Sequence, residues 1–181
     1  MSNLSALSRE QVSTDNQAIF DQLKQAIGMV PNLYATYANS PVALKAILTL
    51  GDTLKEGAFT NREIEAIALV VSEANDCEYC LAAHTAIGKM NGFTEAETLA
   101  LREATIADDK LNILTRLARA ITVSRGRPDQ HLIDAFHNAG YTKAALVELI
   151  GFVAVNTFNN YLNNIAGTEV DFPAAPALQS V

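Results

Sequence analysis

The chain has 181 residues, a formal net charge of −7 at pH 7, 49% hydrophobic residues and 18% charged residues. Its length fits one domain with a buried core, and its apolar content excludes an intrinsically disordered protein. The acidic charge argues against nucleic acid binding, because an acidic surface repels phosphate groups. The longest apolar run, residues 66–71, is far shorter than the roughly 20 residues that span a bilayer, and residues 1–20 show no secretory signal pattern. We therefore expect a cytoplasmic protein with no membrane partner.

Apolar residues recur at three- and four-residue spacings, which predicts helices rather than strands. The first apolar stripe ends at Gly28, and the next helix begins at Pro41 with Ser40 as its N-cap. Thr60 and Glu63 form a capping box at the start of a nearly all-apolar helix, which we expect to be central and buried.

In the following segment, Asp76 is predicted to cap a helix that begins at Cys77 and ends near residues 91–92. Thr94 begins another capping box with Glu97. Three further helices are predicted over residues 110–123, 130–138 and 142–164. With no convincing strand pattern, the predicted fold class is all-α.

The two cysteines, Cys77 and Cys80, form a single Cys-x-x-Cys motif. Small secreted domains held by disulfides use more cysteines, spaced further apart, so this motif indicates redox or metal chemistry. His84 follows Cys80 by four residues, which places all three side chains on one helical face. Unpaired N–H groups at the helix start stabilise a thiolate at Cys77, and His84 is placed to take a proton from Cys80.

Glu65 lies among apolar residues of the predicted central helix, and two interpretations of it stay open. A buried carboxylate needs a partner and is then a candidate proton acceptor. The other interpretation is a glutamate on the one polar edge of the helix. Glu73, near the end of the same helix, is compatible with a solvated side chain.

A structural zinc ion is a competing interpretation, and we expect no metal. Zinc needs four ligands, whereas one helix here supplies three, in positions poorly suited to a tetrahedral ion. His131 and His137, on a later helix, are interpreted as surface or hydrogen-bonded histidines. Two unreactive core cysteines are a further alternative, because buried thiols behave as small apolar groups.

Two features suggest long-range contacts. Shifting the chain by 83 residues aligns Glu65 with Glu148 and places the two cysteines on Asn160 and Asn163, which is compatible with a repeat of two helical hairpins or with chance. The apolar stretches 64–71 and 146–155 exceed what one small bundle covers, so we expect a homo-oligomer. The last helix is rich in asparagines, which either face the cysteines or bind across a subunit interface: Asn156, Asn159, Asn160, Asn163 and Asn164.

The segment from Glu65 through Cys77-Glu78-Tyr79-Cys80 to His84 resembles the signature of the alkylhydroperoxidase D (AhpD)-like proteins of the carboxymuconolactone decarboxylase superfamily. The resemblance, to the peroxidase-related branch, extends over residues 28–173 and is strongest at 60–92. It includes the motifs Val30-Pro31-Asn32, Ser40-Pro41 and Asp171-Phe172-Pro173. We expect a single AhpD-like domain over residues 1–181, with a core at about 28–173 and an N-terminal helical arm at 1–27.

The resemblance implies an all-α, homo-oligomeric thiol peroxidase without a cofactor. Carried over to this chain, Cys80 attacks a hydroperoxide, Cys77 resolves the sulfenic acid as a redox-active Cys77–Cys80 disulfide, and Glu65 and His84 relay protons. An unidentified dithiol protein would be the reductant. Tyr79 stands where the best-studied members have a histidine, so part of the proton relay is missing or replaced.

Two other functions stay open. One is a disulfide oxidoreductase or redox switch that does not consume peroxide, and continuous turnover would distinguish a peroxidase from it. The other is a cofactor-free decarboxylase of the same superfamily. The cysteine pair argues against this second function, because those decarboxylases do not need it.

Overall fold

The computed structural model describes residues 4–178, and every regular element in that range is helical. The all-α prediction is confirmed for this part of the chain. A 3₁₀ turn at Arg9–Gln11 precedes the α-helices. These are α1 Thr14–Ile27, α2 Asn32–Tyr37, α3 Pro41–Leu54, α4 Asn61–Ala74, α5 Glu78–Met90, α6 Glu95–Glu103, α7 Asp109–Val123, α8 Gln130–Asn138 and α9 Lys143–Ala166.

Three helices begin at the predicted capping side chains. The Ser40 hydroxyl accepts a hydrogen bond from the backbone N–H of Ala43 at the start of α3. Thr60 forms a complete capping box with Glu63 at α4, and Thr94 forms the same motif at α6. The six-residue helix α2 is absent from the prediction, because it is too short to display a periodic apolar stripe.

The start of α5 differs from the prediction. Its N-cap is Cys77, whose Sγ accepts a hydrogen bond from the Cys80 backbone N–H at 3.3 Å. The prediction that Asp76 caps this helix is therefore wrong. Asp76 instead adopts φ = 50°, in the left-handed region, where the chain turns sharply between α4 and α5. The turn places Cys77 at the N-terminal end of α5.

Helix α4 is the central element, as predicted. Residues 66–71 are each at most 1% exposed. The helix packs against α5, α6, α7 and α9. Burial on all sides explains why its apolar residues do not alternate with polar ones.

Two smaller apolar clusters flank this core. One joins α1, α2 and α3, with Phe20 of α1 only 2% exposed. The other surrounds the cysteines and is covered by Val170 and Phe172 of the C-terminal segment. The division into an arm and a core stays a prediction. No helix within residues 4–178 is long and apolar enough to cross a membrane.

The predicted repeat of two hairpins is not confirmed. A shift of 83 residues would place the break between α4 and α5 at residues 158–160, inside α9. Helix α9 is continuous from Lys143 to Ala166. A single long helix therefore faces the α4–α5 hairpin.

Candidate active site

Cys77 and Cys80 form a disulfide at the N-terminal end of α5, with their Cα atoms 5.3 Å apart. Cys77 is the N-cap residue, so its sulfur lies where the first backbone N–H groups of the helix have no intrahelical acceptor. The two cysteines are 0% and 3% exposed, respectively. The bridge spans a single helical turn, which makes it a compact two-electron centre.

Buried Glu65 and partly exposed His84 form a pair one helical turn along from the disulfide. Glu65 Oε2 lies 2.8 Å from His84 Nδ1, and Glu65 is 8% exposed. The structure thus decides between the two interpretations of Glu65: it is buried and has a partner. His84 follows Cys80 by one turn on the same face of α5. Because the carboxylate engages Nδ1, Nε2 is the nitrogen that can exchange a proton with a substrate.

The accessible part of the site lies at His84. Its side chain is 22% exposed, more than either cysteine. The sulfurs lie beneath an apolar layer that includes Leu33 and Phe172. A substrate therefore has to be small, or has to approach along the histidine.

Tyr79 packs in the same apolar cluster as the two cysteines, and its hydroxyl binds elsewhere. Its hydroxyl accepts a hydrogen bond from the Leu33 backbone N–H at 3.2 Å, and its ring meets Phe172 edge-on with centroids 5.8 Å apart. Burial, with a further contribution from the Asp171 carboxylate, raises the pKa of Tyr79, so the phenol keeps its proton at neutral pH. Tyr79 thereby anchors α5 to α2 and to the C-terminal segment.

Asn163 of α9 contacts the disulfide. Its amide Nδ2 lies 3.3 Å from Cys80 Sγ and 4.0 Å from Cys77 Sγ, and the residue is 3% exposed. Of the two interpretations of the asparagine-rich stretch, contact with the cysteines is the one observed for this residue. The high density of asparagines in this stretch is visible in the sequence, but the sequence does not indicate which of them contacts the cysteines.

The neighbouring asparagines hold α9 against the α4–α5 turn. Asn160, which is 0% exposed, donates to Ser72 Oγ at 3.3 Å and accepts from Asn75 Nδ2 at 2.9 Å. Asn164 donates to the Asn75 carbonyl at 2.9 Å. These bonds fix the turn that precedes Cys77.

Tyr34 of α2 is a second residue that sequence reasoning missed. Burial, and then the charges of Asp52 and Glu65, raise the pKa of Tyr34. Tyr34 therefore lies within electrostatic reach of the Glu65 carboxylate. A lone tyrosine on an unpredicted helix gives no sequence signal for this.

Glu73 is paired rather than simply solvated. Its Oε2 accepts from Arg102 Nε at 2.7 Å, and Arg102 also donates to the Pro176 carbonyl at 2.6 Å. This contact holds the C-terminal segment beside the start of α5.

His137 is hydrogen-bonded, as interpreted, with Nδ1 2.9 Å from the Tyr141 carbonyl oxygen. Across residues 4–178, no group of three or more His, Cys, Asp or Glu side chains is arranged to hold a metal ion.

Comparison with known proteins shows both a family match and a shared fold. Residues 41–122 match the model of the carboxymuconolactone decarboxylase family. No curated protein matches the chain significantly. A peroxidase-related protein from Ralstonia eutropha, described as an alkylhydroperoxidase AhpD core, is 21% identical with a TM-score of 0.81, covering 94% of this chain and 92% of that one.

Two further solved structures share the fold. An uncharacterized peroxidase-related protein from Silicibacter sp. is 20% identical with a TM-score of 0.79, covering 92% of each chain. The debrominase Bmp8 is 20% identical with a TM-score of 0.80, covering 94% of this chain and 93% of that one. The AhpD-like fold is therefore shared by proteins with different named activities.

Proposed function

We propose that this chain, whose residues 41–122 match the model of the carboxymuconolactone decarboxylase family and whose fold is AhpD-like, is a thiol-dependent peroxidase. Its substrates would be alkyl hydroperoxides or hydrogen peroxide. The observation that carries the proposal is the contact of the buried Glu65 carboxylate with the partly exposed His84, one helical turn from a Cys77–Cys80 disulfide. That arrangement provides a two-electron thiol centre and a proton donor in one place.

The reaction begins with the reduced centre. The Cys80 thiolate attacks the terminal oxygen of the hydroperoxide, the O–O bond breaks, and Cys80 becomes a sulfenic acid. The departing alkoxide takes a proton from His84, whose ring is oriented by Glu65. The Cys77 thiolate then attacks Cys80 Sγ, the S–O bond breaks, and the hydroxide leaves as water after protonation. A dithiol reductant returns the disulfide to two thiols and becomes a disulfide itself.

The assignment of Cys80 as the attacking cysteine rests on its neighbours. His84 lies one turn from Cys80, and the Asn163 amide is closer to Cys80 Sγ than to Cys77 Sγ, at 3.3 against 4.0 Å. Cys77 is the less exposed residue of the two, at 0% against 3%, and suits the resolving role.

The remaining partners follow from the chemistry and the surface. Reduction requires an external dithiol protein, and a cytoplasmic location would supply one. Nucleic acid is not expected at a net charge of −7. A homo-oligomer is supported by an apolar stripe on the exposed side of α9. We refer to these residues as the α9 stripe: Val147, Ile150, Phe158, Tyr161 and Ile165.

The test is catalytic consumption of a hydroperoxide with a dithiol reductant. We expect Cys80→Ser to abolish turnover. Cys77→Ser should slow it by about tenfold or more, because an external thiol then has to replace a resolving group that is already in place. Tyr79→Phe is the matched control, since it keeps the packed ring within the same motif, and its turnover should remain near that of wild type.

Three outcomes contradict the proposal. A single stoichiometric oxidation without turnover favours a disulfide switch. Undiminished peroxide consumption in Cys80→Ser would show that Cys80 does not take part in the reaction. Thiol-dependent bromide release from 2,3,4-tribromopyrrole without peroxide turnover would point instead to a dehalogenase, because a Bmp8 variant is known in complex with that compound.

A further inference from the structure

We propose that Asn163 is a catalytic residue of the cysteine centre, whose side-chain amide stabilises the thiolate of Cys80. The inference rests on the proposed function, because it concerns the same sulfur. Asn163 belongs to α9, 83 residues beyond Cys80, and lies outside every motif of the Cys-x-x-Cys segment.

The contact is selective between the two sulfurs. Asn163 Nδ2 lies 3.3 Å from Cys80 Sγ, within hydrogen-bond distance of a sulfur acceptor, and 4.0 Å from Cys77 Sγ. A donor that binds the charged form of an acid favours ionisation. The amide therefore favours a thiolate at Cys80 more than at Cys77.

Burial strengthens this interaction. Asn163 and Cys80 are each 3% exposed, so bulk water does not replace the amide as a donor. A hydrogen bond stabilises a charged group by a larger free energy in such buried surroundings than at the surface. Cys77 has a different donor, the Cys80 backbone N–H at 3.3 Å from its Sγ, so each sulfur has its own.

The amide is held in place by its own helix. One turn before Asn163, Asn160 is bound to Ser72 and Asn75, which fixes α9 against the turn that precedes the cysteines. The orientation of the Asn163 amide also matters. With Nδ2 towards the sulfur it donates, whereas the reversed amide would point carbonyl lone pairs at a thiolate.

The other end of the amide gives a second, independent observation. Asn163 Oδ1 is buried and has no hydrogen-bond partner within residues 4–178. Buried acceptors are normally satisfied, and a disulfide has no proton to offer. Reduction or peroxide attack creates a donor at the sulfurs that the same amide contacts through Nδ2, as the S–H of Cys77 or the S–OH of Cys80. The orphaned oxygen thus fits a residue that serves the reduced and sulfenic forms of the centre.

The experiment measures the ionisation of Cys80 directly. In a Cys77→Ser background Cys80 is the only cysteine, and its titration is followed by thiolate ultraviolet absorbance and by the alkylation rate as a function of pH. We expect Asn163→Leu to raise the pKa of Cys80 by about one unit, which leaves about tenfold less thiolate below both pKa values. Asn163→Asp should raise it further, because an acceptor carboxylate replaces the donor.

The matched control is Asn156→Leu. Asn156 lies two turns earlier on α9, is 5% exposed, and donates to the Phe152 carbonyl of its own helix. This variant should leave the pKa of Cys80 unchanged. All variants keep the other ionisable groups around the site, so the difference reports on Asn163 alone. Those groups are Tyr34, Glu65, Asp76, Glu78, Tyr79, His84 and Asp171.

An unchanged pKa of Cys80 in folded Asn163→Leu overturns the inference, and so does an equal shift in Asn156→Leu. Should Asn163→Leu fail to fold, the smaller Asn163→Ala is judged by the same criterion. Peroxide turnover plays no part in this measurement. A wild-type protein that does not consume peroxide would contradict the proposed function and leave the result on Asn163 standing.

Discussion

Glu65 is a carboxylate in a mostly apolar helix, and its surroundings determine what it can do. Its neighbours along α4 are buried, and His84 lies 2.8 Å away. A buried carboxylate without a partner is unfavourable, so the histidine stabilises Glu65 while Glu65 orients the ring. The pair thus links the central helix of the core to the cysteine helix.

Replacing Glu65 by glutamine keeps the size of the side chain but removes its charge. We expect Glu65→Gln to lower the rate of peroxide turnover by about 10²-fold, as is typical when one partner in proton transfer is impaired. Helix content measured by circular dichroism should remain that of wild type. The measurement is kcat/KM for a hydroperoxide.

Glu78→Gln is the control for this variant. Glu78 lies between the two cysteines and is exposed, so the substitution removes the same charge near the same sulfurs without touching His84. Its turnover should match that of wild type. An equal loss of kcat/KM in both variants would show an effect of net charge. Full activity of Glu65→Gln would show that Glu65 does not take part in the reaction.

Helix α9 has two faces with different roles. Its buried side carries the asparagines that meet the cysteines and the α4–α5 turn. Its other side carries the α9 stripe, whose members are 47% to 70% exposed and recur at helical spacing. A continuous exposed stripe of this kind differs from scattered surface residues and suits a subunit interface.

Charges placed in the α9 stripe should disrupt the oligomer. We expect wild type to be a homo-oligomer and the double variant Phe158→Glu/Ile165→Glu to have a smaller mass, because a buried unpaired carboxylate opposes association. The measurement is molar mass by sedimentation equilibrium. Met90→Glu is the control, since Met90 is 86% exposed on α5, and its mass should equal that of wild type. A monomeric wild type would contradict the prediction.

Across the whole molecule, the features that the sequence predicts correctly are those that depend on residues close together in the chain. Capping boxes at Thr60 and Thr94 and the spacing of Cys77, Cys80 and His84 depend on residues within a turn or two, and these predictions hold in the structure. The resemblance is supported by the match of residues 41–122 to the carboxymuconolactone decarboxylase family model, and the AhpD-like fold is shared with solved structures.

What depends on distant parts of the chain was not predictable. The contact between Asn163 and Cys80 joins residues 83 apart, and no local pattern assigns an asparagine to a sulfur. The sequence favours Asp76 as the cap of α5 because aspartate is a common N-cap, whereas the turn places Asp76 in a left-handed conformation and makes Cys77 the cap. The contact of Glu65 with His84 joins two helices, and the local pattern around Glu65 does not indicate it.

The molecule as a whole also encloses its reactive centre. Val170 and Phe172 cover the cysteines, and Arg102 holds the same segment through the Pro176 carbonyl. Exposures of 0% and 3% restrict which reagents reach the sulfurs. A small hydroperoxide entering at His84 fits this enclosure.

The central claim is that Cys80 is the cysteine that peroxide oxidises. The most direct measurement treats reduced Cys77→Ser with one equivalent of a hydroperoxide in the presence of dimedone, and maps the adduct by mass spectrometry. The account predicts one dimedone adduct per subunit at Cys80, and no comparable adduct at Cys77 in Cys80→Ser. An unmodified Cys80, or an adduct that forms only at Cys77, would contradict it.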